Sequence, residues 1–368
     1  MLFSDILGLD QLKKTLTSAV HNNHVAHAQL FLGYEGSAGL SLAWAYATFL
    51  NCENKQENDA CGKCSSCIRY KKLIHPDLHF VFPTAKAKAY KEREEFMKGW
   101  REFLPKHKYP VLQDWSDYLE TDGKQFSISV AESRYISKIL SLKAYEGGYK
   151  ILILWLPEYM NASAANALLK GLEEPPKNTI FLLVAEKTDK ILATILSRCQ
   201  LIQVPRYSDQ EVKEYLISQN IKEDEAGEIA PLVDGNLNEA MKLSEHSQNK
   251  NQELFRDWMR LCFKHDYAGF VNQADVFHSL GKEGQKTLLM YALTILRESL
   301  ISNFGTEQLI RTESETLKFV QNFAKVIDER NIFSLVEKID EAYFHLERNA
   351  NSKIIFMDLS VQIARLLR

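Results

Sequence analysis

The sequence predicts an α/β N-terminal domain built on a parallel sheet, followed by an all-helical remainder. Three observations predict it. Short apolar runs alternate with helical patterns through the first half, Pro205-Arg206-Tyr207-Ser208 ends that alternation, and almost everything from Asp209 onward is helical in pattern. At 368 residues the chain is longer than one ordinary core supports. The expected division is an α/β domain over 1–206, a small helical unit over 207–246 and longer amphipathic helices over 247–368.

The elements follow in order. Residues 29–32, Gln-Leu-Phe-Leu, read as a strand, residues 33–37 as a glycine-rich turn and residues 40–50 as a helix. Residues 79–82 are a further strand candidate. The run 151–155 is continuously apolar, as suits a strand buried on both faces, and 180–184 and 200–204 read as further buried strands. Residues 161–174 are helical by pattern, with Ala165, Leu168, Leu169 and Leu172 on one face, and Pro175-Pro176 stop them. Beyond about residue 250 the pattern gives five or so helices, among them 286–301 and 333–348.

Composition bounds the function. Apolar content of 45% and charged content of 25% are those of an ordinary globular protein. No apolar run approaches the length of a bilayer span, and the opening MLFSDILGLDQLKK lacks the basic-then-apolar order of a secretion signal. A net charge of −3 gives no general attraction to DNA.

Cys52, Cys61, Cys64 and Cys67 carry the strongest chemical signal, with spacing C-x8-C-x2-C-x2-C. Two-residue gaps let neighbouring sulfurs wrap one ion, and four thiolates suit tetrahedral Zn2+ with no position left for water. The expectation is a structural zinc site; four unrelated buried thiols are the alternative. Cys199 and Cys262 remain, which suits a reducing cytoplasm. His75, just beyond the cysteines, is expected to be structural.

Strand, glycine turn and helix in that order frame a phosphate loop, with Gly33, Gly36 and Gly39 as candidate cradling residues. A working loop needs a Lys for the phosphates and a Ser or Thr for Mg2+. Aligned from Gly33 those places hold Gly39 and Leu40; shifting by one gives Leu40 and Ser41, still without the Lys. The strand 151–155 should end in an acidic pair but continues Trp155-Leu156-Pro157, and Glu158 lies three residues past the strand-end position. Either the loop has lost its catalysis or the chain never had a nucleotide site, since such frames are common.

Residues 86–108 hold eight Lys or Arg against four Glu, interleaved with Tyr90, Phe96, Trp100 and Phe103. Such a pattern can grip a nucleic-acid backbone and stack on bases. An amphipathic helix packing its aromatics on the domain has the same pattern and is the commoner case.

Several motifs together resemble the clamp-loader subunits of bacterial DNA polymerase III, which are AAA+ proteins. They are Asn166-Ala-Leu-Leu-Lys-Gly-Leu-Glu-Glu-Pro-Pro176, Thr194-Ile-Leu-Ser-Arg-Cys199, the lead-in His27-Ala-Gln-Leu-Phe-Leu-Gly33, the four cysteines, and Asn349-Ala-Asn-Ser-Lys353 before a last helix. Residues 86–125 do not fit the common pattern and look like an insertion.

The resemblance implies an AAA+ domain with a zinc module, a helical lid over 207–246 and an oligomerising collar over 247–368. It implies that Ser197 and Arg198 belong to an arginine finger acting in trans on a neighbour's ATP. In the lid, Gly235-Asn-Leu-Asn238-Glu-Ala240 puts Asn238 where that family usually has Arg, and the sensor threonine falls near Ala185 and Glu186. ATP is expected to bind here weakly or not at all. Implied partners are gamma or tau motor subunits, the delta subunit, and through the assembly a sliding clamp and primer–template DNA. An active ATPase subunit of the same loader and a stand-alone zinc DNA-binding protein are the rival expectations.

Overall fold

The computed structural model describes the chain apart from residues 86, 88–89, 91, 122–123, 147, 246–248, 304–313, 329, 349 and 368, and apart from the side chains of helical residues 133, 228, 245, 249–252, 283, 314–318 and 347. Lys86, Lys88 and Lys91 of the basic segment and Asn349 of the last motif therefore lie outside the described residues.

Five strands form one parallel sheet: β1 (Ala28–Leu32), β2 (Leu78–Val81), β3 (Lys150–Trp155), β4 (Thr179–Ala185) and β5 (Gln200–Gln203), in the order β2-β3-β4-β1-β5. Parallel neighbours need long crossovers, and helices cover both faces of such a sheet. On one face the helices Val130–Ser141 and Ala162–Glu173 seat Ile136, Ile139, Ala164, Leu168 and Leu172 against Leu30, Leu152, Phe181 and Leu183. On the other lies the helix Gly39–Leu50, whose twelve residues are all buried. It can be apolar all round because the sheet lies beneath it and the helices Asp10–His21 and Ser65–Lys71 lie against it.

β3 and β4 are buried at every position, which is why they read as unbroken apolar runs. The expectation of a buried strand at 200–204 needs correction. β5 pairs only with β1, so it is a sheet edge, and of its four residues only Ile202 is buried.

The chain divides into two compact units, 1–207 with 236–238, and 208–235 with 239–368. The second unit is helical. The described helices beyond residue 248 run Asn249–Lys264, Tyr267–Ser279, Gly281–Asn303, Ser314–Phe323, Ile332–Glu347 and Ser352–Leu366. They share one core that includes Trp258, Phe270, Phe277, Leu289, Ile339, Phe356 and Ile363. The indole Nε1 of Trp258 donates to Ser360 Oγ at 2.8 Å, which satisfies the one polar atom of a fully buried ring. Among the described residues no helix is long and apolar enough to cross a membrane.

Candidate functional site

The four cysteines converge. Their Sγ atoms all lie within 4.8 Å of one another, and Cys61 and Cys67 stand 4.0 Å apart. Four sulfurs held at about 2.3 Å by one Zn2+ would stand about 3.8 Å apart. None of the four is in a disulfide. Backbone N–H groups point at the sulfurs: Cys61 donates to Cys52 Sγ at 3.3 Å, Cys64 to Cys61 Sγ at 3.3 Å and Cys67 to Cys64 Sγ at 3.4 Å. These donors favour thiolates, and backbone N–H bonds bring the Cys61 thiol down to about 6. Burial pushes Cys52 and Cys67 up, so a cation at the centre would have to hold those two ionised. Gly62 takes φ +71°, the left-handed turn that brings Cys64 round toward Cys61. The donor set fits a tetrahedral thiophilic ion. His75 is not part of it: its ring is buried, with Nε2 3.2 Å from the Glu146 carboxylate and Nδ1 accepting from Asp77 N at 3.1 Å.

The glycine turn sits at the carboxyl end of β1, where ligands bind in open parallel sheets. Gly36 is left-handed at φ +72°, and a Cβ there would collide with the Asn236 side chain. Gly39 opens the helix Gly39–Leu50, and its N–H donates to Ser37 Oγ at 3.4 Å. A Cβ on Gly33 would strike that same Ser37 hydroxyl at 2.3 Å. The loop is therefore closed in part by its own serine.

The side chain at each expected catalytic place is engaged otherwise. Ser41 is buried and its hydroxyl donates to the carbonyl of Lys108. Trp155 is buried against Trp100, with ring centroids 5.3 Å apart. Asn238 Nδ2 donates to Tyr109 O at 2.9 Å and to Asp114 Oδ2 at 2.7 Å. Glu158 turns to the end of β4, where its Oε1 accepts from the amides of Glu186 (3.0 Å) and Lys187 (3.3 Å). Burial, with Glu35 and Glu158 nearby, pushes the Glu186 carboxyl up to about 8.

Arg198 lies between the short helix Ala193–Leu196 and β5. Its side chain is 36% exposed; one guanidinium nitrogen meets Glu173 Oε1 at 3.0 Å and another donates to Thr194 O at 2.9 Å. Ser197 Oγ donates to Thr194 O at 3.2 Å, and both side chains are on the surface. Cys199 packs against the sheet core, and burial pushes its thiol up to about 11, the state of a small apolar filler.

In the basic segment, Phe96, Trp100 and Phe103 lie on the buried face of the helix Arg93–Phe103, with Trp100 and Phe103 0% exposed. Phe82 stacks on Trp100 at 4.2 Å and Tyr90 on Phe96 at 5.6 Å. Phe96, Trp100 and Phe103 serve the domain core and are not presented to nucleic-acid bases, while Tyr90 is half-buried. Reading the sequence alone missed Tyr109 and Asp114 as the partners of Asn238 and Glu173 as the partner of Arg198. Asn238, where the resemblance leads one to expect an arginine, was the one visible signal; what it touches is set by residues over a hundred positions away.

The chain is similar in sequence to known proteins. A family model described as DNA polymerase III, delta subunit, matches residues 8–208. Over 343 residues the chain is 26% identical to the DNA polymerase III subunit delta' of Bacillus subtilis (strain 168), covering 92% of this chain and 91% of that one. It is 31% identical over 174 residues to the subunit delta' of Pseudomonas aeruginosa, covering 47% of this chain and 42% of that one. It is also 26% identical over 260 residues to the subunit tau of Bacillus subtilis, covering 69% of this chain and 39% of that one.

Proposed function

The chain belongs to the DNA polymerase III delta-subunit family, and from that membership we propose that it is a delta-prime-like member of the clamp loader, an AAA+ subunit that does not turn over nucleotide itself. Its role is to hold the geometry of a ring of related subunits and to present Arg198 to ATP bound by the neighbour. Expected partners are gamma or tau motor subunits and delta, with a sliding clamp and primer–template DNA reached through the assembly. Residues 207–246 would be the lid and 247–368 the collar that joins the ring.

One asymmetry carries this reading. The phosphate loop has Gly39 and Leu40 where Lys and a hydroxyl are needed, and β3 ends in buried Trp155, yet a half-exposed guanidinium remains at Arg198. Transfer of a phosphoryl group needs a Lys and a hydroxyl for the metal; this loop has no Lys in either alignment, and Ser41, the one hydroxyl an alignment supplies, donates to Lys108 O. Arg198 is suited to act on another chain's nucleotide because its planar fork pairs two phosphate oxygens at once. A surface pair such as Arg198–Glu173 is worth under about 1 kcal/mol, so exchanging Glu173 for a γ-phosphate costs little. Cys52, Cys61, Cys64 and Cys67 would hold Zn2+, which would supply folding stability and no chemistry.

The test is reconstitution with motor and delta subunits. Arg198→Ala should leave assembly intact by size exclusion and slow ATP turnover by an order of magnitude or more, since an arginine finger is worth about 10³–10⁵ in rate where it acts alone. Arg198→Lys should recover little, because an ammonium cannot pair bidentately. Unchanged turnover in both variants would refute the trans role.

A further inference from the structure

We propose that residues 108–111 are a resident ligand of the glycine-loop cleft: a strap of the chain's own backbone lying where an adenine nucleotide would lie and closing the cleft to it. The inference rests on reading the β1–glycine turn–helix frame as a former nucleotide cleft.

Each wall of the cleft is satisfied by the strap. At the end of the cleft nearest the N-terminal segment, the Tyr109 hydroxyl accepts from Leu7 N–H at 3.4 Å, and the buried ring meets Tyr207 edge-on with centroids 6.1 Å apart. Tyr207 in turn donates its hydroxyl to Leu7 O at 3.1 Å. A backbone N–H beside an aromatic ring is what reads the edge and face of a purine, and here both are spent on Tyr109. At the phosphate end, the Ser41 hydroxyl donates to the Lys108 carbonyl. A carbonyl oxygen there stands in for a phosphate oxygen: an acceptor of the same kind, fixed in place.

The third wall is the segment 236–238, which packs with the first unit. Asn238 donates to Tyr109 O and to the Asp114 carboxylate, and Asp114 also accepts from Val111 N at 3.0 Å. An arginine at 238 would reach for phosphate; an asparagine amide is the right length for a backbone carbonyl. Tyr109 and Val111 are 4% and 5% exposed, so the strap is seated and not draped over the surface.

The test uses the full-length chain and a fluorescent ADP analogue as probe. Two variants open the cleft from opposite sides, Tyr109→Ala and Asn238→Ala, and amide hydrogen exchange at Leu7 and at residues 33–41 reports the opening. A cleft that is open a tenth of the time or less hides about tenfold or more of its affinity. The wild-type chain should bind the probe without saturation, and the variants should exchange faster at Leu7 and bind at least about tenfold tighter.

The inference is overturned if the variants open and gain no binding, or if exchange at Leu7 does not change. Tight binding by the wild-type chain overturns it together with the nucleotide-deficient reading. Failure in the variants alone leaves the Arg198 role standing, because that role is read in the partners' turnover.

Discussion

Cys64 is the residue through which the proposed metal module is most exposed to test. Its backbone N–H meets Cys61 Sγ and its own sulfur receives Cys67 N–H, so it joins two of the sulfurs in a chain. Cys64→Ser should abolish stoichiometric zinc in elemental analysis and lower the melting temperature of the N-terminal unit, because metal binding to small modules contributes on the order of 10–16 kcal/mol. Full zinc content with unchanged melting would contradict the assignment. Glu186 gives a different kind of test. Burial, then Glu35 and Glu158, hold its carboxyl at about 8, above the ordinary 4.5. The folded state therefore binds a proton that the unfolded state releases, and the stability linked to this group falls as pH rises from about 4.5 through 8. Glu186→Gln should match the wild type in melting temperature at pH 4 and exceed it increasingly toward pH 9. A constant offset across that range would show that the carboxyl is not the cause.

At the scale of elements, Trp100 is the largest side chain on the buried face of the helix Arg93–Phe103. Trp100 stacks on Phe82 at 4.2 Å and meets Trp115 at 5.1 Å and Trp155 at 5.3 Å, fully buried. Trp100→Ala should cost about 3–5 kcal/mol in urea unfolding, as large-to-small changes in a core do. A loss below about 1 kcal/mol would mean that the site collapses to fill the gap.

Parts of this were legible beforehand for a physical reason. β3 and β4 announce themselves because strands buried on both faces need no polar alternation, and the helix Ala162–Glu173 ends where Pro175-Pro176 forbid more. The convergence of the cysteines follows from spacing alone. What residues 86–125 do could not be read in the same way. Their aromatics have the same spacing whether they face a core or a nucleic acid, and the Ser41–Lys108 bond joins residues 67 positions apart. β5 was misread as buried because Leu201 and Ile202 look alike in sequence, while sheet order puts the whole strand at an edge and leaves Ile202 as its one buried residue.

For the whole molecule, the two compact units have separate cores. A fragment ending at Tyr207 should fold and bind the zinc proposed for its four cysteines, while losing the two hydrogen bonds that Asn238 gives to Tyr109 and Asp114. Calorimetry of the full chain should resolve more than one transition, and removing residues 247–368 should abolish entry into the reconstituted ring. A fragment that unfolds on release, or a truncated chain that still joins the ring, would contradict the division of labour proposed for the two units.

The strand β5 leaves a rim of the sheet with main-chain groups able to recruit a stranger's strand. It is four residues long, and Gln200 and Gln203 bracket its exposed Leu201. So short a rim, flanked by amide side chains, gives an incoming strand few rungs on which to register. Stocks of the lone polypeptide should accordingly store without fibrillating, and lengthening that rim with alternating valines would be the quickest way to lose this tolerance.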